Sequence, residues 1–155
     1  MTDTAALLSK LNLGNHRTIH VLNAPDSFHP HLAALAHLKV QVSPRLKGTV
    51  SFALAFATTQ TALDEVCAGL VAAAQGDAIL WISYPKGTSR RYRCEFNRDS
   101  GWKVLGEAGF EPVRMVAIDE DWTALRFRRV EHIKSMTREA SRTHSRAGRR
   151  KAQKK

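Results

Sequence analysis

Residues 50–57, VSFALAFA, are apolar almost without interruption. A strand with one wet face alternates polar and apolar side chains, so this run reads as a strand covered on both faces, the pattern of a central parallel strand. Parallel neighbours cannot be joined by a tight turn; each needs a crossover, usually a helix. The chain supplies one at once. From 61 to 74, Leu63, Val66, Cys67, Leu70, Val71 and Ala74 recur at i, i+3, i+4, i+7, i+8 and i+11, with Asp64 and Glu65 in the first turn and Gly76 just beyond. A second apolar strand, AILWISY over 78–84, follows it.

The remaining segments extend this strand–helix–strand unit. Leu7, Leu8 and Leu11 give a first helix over 4–13, with Asp3 or Thr4 as cap and Gly14 as stop. TIHVLN over 18–23 is the first strand, ending in Asn23-Ala24-Pro25. Asp26 or Ser27 caps a helix reaching about His37, with Phe28, Leu32 and Leu35 inward and Pro30 in its first turn. A brief second strand covers 38–42 and closes at Ser43-Pro44. After the basic segment, Asn97 or Asp99 starts a helix containing Trp102, Leu105 and Ala108 that stops at Gly109. Strands over 112–118 and 123–130 then form a hairpin through Asp119-Glu120-Asp121. Strands alternating with helices and closing on an antiparallel pair predict an α/β fold: a three-layer, Rossmann-like sheet, mostly parallel, with an antiparallel C-terminal hairpin strand and order 2-1-3-4-6-5.

At 155 residues the chain suits one domain, expected over 1–137, with a core that needs no staples. Two cysteines cannot build a disulfide framework, so a reducing cytoplasm is expected. MTDTAALLSK is not a secretory leader, and the longest apolar runs are too short for a bilayer, so no membrane association is expected. Of the formal net charge of +10, residues 1–130 contribute +3 and residues 131–155 contribute +7. Within the segment 138–155, Arg138, Arg142, Arg146 and Arg150 recur every four residues, with Arg149 and Lys151 beside them. Like charges at that spacing oppose a free helix, so disorder is expected from about 141 unless a polyanion such as nucleic acid is bound.

Ligands of open α/β sheets bind outside the carboxyl ends of the strands near the switch in strand order. Four segments converge there: Asn23-Ala24-Pro25, Ala57-Thr58-Thr59, Tyr84-Pro85-Lys86-Gly87 and Asp119-Glu120-Asp121-Trp122. The Tyr84 segment opens a basic loop with Lys86, Arg90, Arg91, Arg93 and Arg98 interleaved with Tyr92 and Phe96, a mixture suited to phosphate and base recognition. The expected ligand-binding set is therefore Asn23 and Asp119 to orient a polar group, Lys86 to meet phosphate or carboxylate, Arg90 and Arg91 to add field, and Tyr84 and Trp122 to stack. The plain alternative is a solvated basic face, or arginines paired with the acids of the 119–121 turn.

Nucleotide sites on this fold place glycines after the first strand so that backbone N–H groups reach the anion. Here Asn23-Ala24-Pro25-Asp26 has no glycine, lacks one N–H at Pro25 and adds a negative charge. The second strand runs into Ser43-Pro44-Arg45 where a ribose-gripping acid belongs. Both features oppose a dinucleotide or S-adenosylmethionine, and no cofactor is expected. His16, His20, His29, His31 and His37 crowd the first quarter without metal-ligand spacing, so no metal is expected. No Ser-His-Asp pattern, nucleophile elbow or P-loop occurs, and no catalytic residue is assigned.

WISYPKGTSRR and AIDEDWTALRFRRVEHIKSMTR resemble segments of small uncharacterised bacterial proteins, a domain-of-unknown-function family with a methyltransferase-type, Rossmann-like sheet. The resemblance spans about 5–138 and rests on Tyr84, Pro85, Lys86, Gly87, Trp102, Ile118, Asp119, Glu120, Trp122, Leu125, Arg126 and Phe127. It implies a fold and no established activity. The expected function is a non-catalytic domain binding an anionic partner, nucleotide or nucleic acid, at the sheet edge and through the basic tail. The alternative is a divergent S-adenosylmethionine-dependent methyltransferase.

Overall fold

A computed structural model describes residues 4–133. The basic segment 138–155, and with it Arg138, Arg142, Arg146, Arg149, Arg150 and Lys151, lies outside the described residues. In chain order the elements are α1 (Thr4–Lys10), β1 (Thr18–Leu22), a 3-10 turn (Asp26–Phe28), α2 (His29–His37), β2 (Gln41–Ser43), β3 (Val50–Phe56), α3 (Gln60–Ala73), β4 (Ala74–Pro85), α4 (Lys103–Glu107), β5 (Phe110–Ala117), β6 (Trp122–Arg129) and a closing 3-10 turn (Val130–His132). The strands form one sheet in the order β2-β1-β3-β4-β6-β5. β2, β1, β3 and β4 pair in parallel, and β6 runs antiparallel between β4 and β5. The expected order and the antiparallel hairpin strand are therefore both present.

The apolar run that most constrained the fold is sorted by size. Ala53, Ala55 and Ala57 pack under α3 with Leu63, Cys67 and Leu70, whereas Phe52, Leu54 and Phe56 face Leu7, Leu8 and Leu11 of the α1 side. Side chains alternate across a strand. Small residues thus let the long helix α3 sit close, and large ones fill the wider space left by the seven-residue α1. β4 continues the division: Leu80, Ile82 and Tyr84 lie on the α3 face and Trp81 on the α1 face.

Element ends differ where side chains or glycines intervene. Residues 97–100 were expected to begin a helix; instead Asn97 and Ser100 exchange backbone hydrogen bonds of 3.4 and 3.3 Å, and the Asn97 carboxamide oxygen accepts from the Asp99 N–H at 2.8 Å. Gly101 then adopts φ 100°, so α4 cannot start before Lys103 and Trp102 becomes its N-cap. Lys39 takes φ 62° after α2, which leaves Leu38 50% exposed and delays the second strand to Gln41. On α2 the inward residues are His31 and Leu35, while Leu32 is half-buried. α3 ends at Ala73 because Ala74 is already extended and paired with Val50, across an irregular register that starts β4 earlier than its apolar residues suggest.

Among the described residues, no helix is long and apolar enough to cross a membrane, and no group of three or more His, Cys, Asp or Glu side chains is placed to hold a metal ion. Cys67 and Cys94 are free. Burial pushes the Cys67 thiol up to about 12, with Asp64 adding to the effect, so this sulfur behaves as a small core hydrophobe.

Candidate functional site

At the switch point between β1 and β3, the anion-binding backbone is absent. Asn23 ends β1 at φ 59°, and Pro25 leads into the 3-10 turn, whose Phe28 N–H is already bonded to the Pro25 carbonyl at 2.9 Å. Phe28 packs on Phe56 at the end of β3, with ring centroids 5.2 Å apart, and Phe56 meets Trp122 edge-on at 5.3 Å. This aromatic row, completed by Tyr92 on Trp122 at 5.0 Å, runs along the strand ends on the α2 side. The start of α3 is also closed. Its N-cap Thr59 accepts from the Ala62 N–H at 3.1 Å, and the Glu95 carboxylate accepts the Gln60 N–H at 2.8 Å.

Open space lies instead on the far side of β4. A cleft of about 470 Å³ runs along Tyr84, Pro85, Lys86 and Gly87, is bounded by Ser89 and Tyr92, and is walled by the segment from Arg93 to Asn97. A second cleft of about 410 Å³ shares Tyr84, Lys86, Gly87 and Asn97 and adds Arg98, Met115 and Thr123. The Lys86 segment is thus a ridge between two hollows. Its backbone is fixed, since the Lys86 N–H donates to the Asp121 carbonyl at 2.7 Å and the Ser89 hydroxyl donates to the Asp121 carboxylate at 2.8 Å. The acidic hairpin turn therefore holds the basic loop through a backbone bond and a serine. Among the described residues, none of Lys86, Arg90, Arg91 and Arg93 forms an ion pair with it.

Of the residues nominated from the sequence, Tyr84 and Lys86 come together in both clefts. Tyr84 is only 5% exposed, and its ring is taken by Phe96 and Trp102 at 5.6 and 5.8 Å, so it forms a wall and offers no free stacking face. Burial pushes its phenol up to about 12, which keeps it neutral. Trp122 is 3% exposed between Phe56 and Tyr92, so the stacking role expected of it is spent in the core. Asp119 folds onto its own turn, accepting the Asp121 and Trp122 N–H groups at 2.8 and 2.9 Å. Asn23 stands at the end of β1, two strands away from β4, and lines neither cleft. Arg90 and Arg91 are exposed on the basic loop and line neither cleft. Arg93, Arg98 and Asn97 do line them. Their only signal in the sequence was membership of the same basic segment.

His31 is a second titratable group beneath this edge. It is buried against Phe28, with ring centroids 5.0 Å apart, and its Nδ1 lies 2.7 Å from the Thr4 hydroxyl. Burial lowers its pKa, and the Asp119 carboxylate offsets this only in part. Above the unfolded value of about 6.5 both states are neutral; below it the unfolded chain takes the proton first, so stability falls as the pH drops toward the folded value. Melting temperatures measured from pH 7.5 to 5 should fall more steeply for the native chain than for His31→Gln. Equal slopes would remove His31 as a source of acid sensitivity.

Sheet order, antiparallel hairpin and crossover helices together define a Rossmann-like domain of the methyltransferase type. No protein-family model matches the chain, and no curated protein sequence does. Solved structures do. A SAM-dependent methyltransferase from Aquifex aeolicus superposes with a TM-score of 0.59 at 16% identity, covering 81% of this chain and 89% of that one. Magnesium protoporphyrin IX methyltransferase from Synechocystis, with bound SAM, gives 0.52 at 12% identity over 81% and 76%. The N-methyltransferase NodS from Bradyrhizobium japonicum gives 0.52 at 12% identity over 81% and 93%. At these identities the likeness is one of fold.

Proposed function

We propose that this chain is a methyltransferase-fold domain that binds a small anionic ligand in the cleft beside Lys86. The observation that carries the reading is a half-buried Lys86 on a tethered backbone, facing a hollow with Arg93 and without an ion pair among the described residues. The one acid in that wall, Glu95, has its carboxylate committed to the start of α3. The cleft volume of about 470 Å³ falls in the range of small-molecule sites. Phosphate or carboxylate is the matching chemistry, with the Asn97 carboxamide N–H as a neutral donor, because the Ser89 hydroxyl already donates to Asp121. The basic segment from Arg138 to Lys151 adds attraction for a nucleic acid or other polyanion.

Methyl transfer from S-adenosylmethionine is the second reading, and fold likeness is what favours it. A cofactor at the usual edge would meet the Pro25 turn and the Phe28–Phe56 contact in place of a glycine loop. Thermal-shift measurements with S-adenosylmethionine, its demethylated product, nucleotides and small carboxylates separate the readings. A ligand at one hundred times its Kd stabilises by about 2.7 kcal/mol. Lys86→Ala should abolish the shift given by an anion while leaving the ligand-free melting temperature within about 1–2 °C, as for other surface changes. A shift with S-adenosylmethionine that survives Lys86→Ala would instead support the methyltransferase reading.

A further inference from the structure

The second cleft, beyond the Lys86 ridge, differs in chemistry from the first. One of its walls is Met115 of β5, which lies directly opposite Leu125 of β6. Opposed residues share a sheet face, and Leu125 belongs to the core that Leu63 of α3 and Leu105 of α4 complete. Leu125 is 3% exposed, yet Met115 beside it is 43% exposed. Cover stops between the two because α4 is short: its five residues extend about 7.5 Å, whereas the eight of β5 extend about 27 Å. An unbranched thioether adapts to irregular apolar shapes, so Met115 is a suitable surface for an apolar group. The polar groups of this cleft are largely engaged. The Thr123 hydroxyl donates to the Val116 carbonyl at 3.4 Å, and Arg98 is paired with Asp99 at 3.5 Å.

The two clefts meet at Gly87, which lines both. It is the second residue of a turn closed by the Ser89 N–H on the Lys86 carbonyl at 3.0 Å. Its φ lies outside the left-handed region that favours glycine, so the backbone of this turn does not demand one. A Cβ at Gly87 would meet no heavy atom within 4 Å. What the glycine supplies is room, at the place where the ridge divides the hollows. Lys86 stands next to it in both clefts, without an ion pair among the described residues. Cationic groups, Lys86 and Arg93, therefore lie on one side of Gly87, and Met115 lies on the other.

We infer that the ligand is an amphipathic anion, whose carboxylate or phosphate head lies beside Lys86 and Arg93 and whose apolar chain crosses Gly87 to Met115. The inference rests on the cleft reading above and names the class of ligand. Small-molecule sites join apolar walls to a few placed polar groups, and each hollow supplies one of the two.

The test titrates the full chain with inorganic phosphate, with straight-chain carboxylates from butyrate to octanoate and with the matching alkyl phosphates, following amide chemical shifts. In at least one series affinity should rise about fourfold per added methylene, the worth of one buried CH2, until the second cleft is filled. Met115→Ser and Gly87→Leu should each flatten that rise. Their ligand-free melting temperatures should stay within about 1–2 °C of native, since Met115 is exposed and Gly87 has open space above it. Lys86→Ala should remove the response to every member of the series. Binding of phosphate or butyrate with no gain from longer chains would overturn the inference and leave the cleft reading standing. No response to any of these anions would remove the cleft reading, and this inference with it. A full gain with chain length in a Gly87→Leu/Met115→Ser chain would also overturn the inference, because the chain would then lie elsewhere. So would an octanoate response that survives Lys86→Ala.

Discussion

Replacing Trp102 with alanine should cost about 3–5 kcal/mol and lower the melting temperature by on the order of 10 °C. The indole is almost fully buried and joins parts distant in sequence: it packs on Tyr84 of β4, Phe96 of the basic segment and Phe127 of β6, at 5.8, 5.4 and 4.8 Å between centroids. Its Nε1 donates to the Asn97 carbonyl at 2.7 Å. Asn97 lines both clefts, so the same side chain that anchors α4 also sets the cleft wall. Trp102→Phe separates the two roles. It retains most of the ring packing and gives up one hydrogen bond, whose acceptor belongs to an exposed residue that water can serve, for a cost of about 1 kcal/mol. Denaturant melts should rank native, Phe and Ala in that order. Ligand-induced stabilisation, once a ligand is found, should already be weakened in Trp102→Phe. A phenylalanine variant with full ligand response would show that the Asn97 wall does not depend on the indole.

How far the sequence led follows from the same residues. The β-strand order was readable because VSFALAFA, the 61–74 helix and AILWISY carry their burial in their periodicity, and periodicity is a local property. Burial of Tyr84 and Trp122 was not readable. An aromatic residue beside a basic loop looks the same in sequence whether it stacks on a ligand or on another aromatic, and only the tertiary fold of the segment after β4 sets Tyr92 on Trp122 and Trp102 on Tyr84. Nor was the place of Asn23. The edge rule gathers all strand ends at one side of the sheet, but β3 separates β1 from β4, and the open clefts lie beyond β4. The missing glycines after β1 were legible and had a structural counterpart: a proline turn and Phe28 on Phe56 occupy that position. The Met115–Leu125 pair was hidden for a different reason. Cross-strand neighbours depend on register, and β5 changes register between Pro112 and Arg114, so alternation along either strand alone cannot predict who faces whom.

Trp81→Ala should be as damaging as Trp102→Ala, about 3–5 kcal/mol, but through the opposite face. Trp81 is fully buried at the centre of β4, and its Nε1 donates to the Leu11 carbonyl just past the end of α1, at 2.8 Å in a buried setting. Seven residues are too few for a helix to persist alone, so α1 exists because Leu7, Leu8 and Leu11 are buried and because this bond fixes where it ends. Trp81→Phe leaves the Leu11 carbonyl buried without that donor, which costs about 1–3 kcal/mol in addition to the smaller ring. The loss should be local. Amide exchange should accelerate over residues 5–13 while β3 and α3, held by the alanine face of the core, keep their protection. Uniform acceleration through the domain would mean that α1 is an integral part of the cooperative core and cannot open by itself.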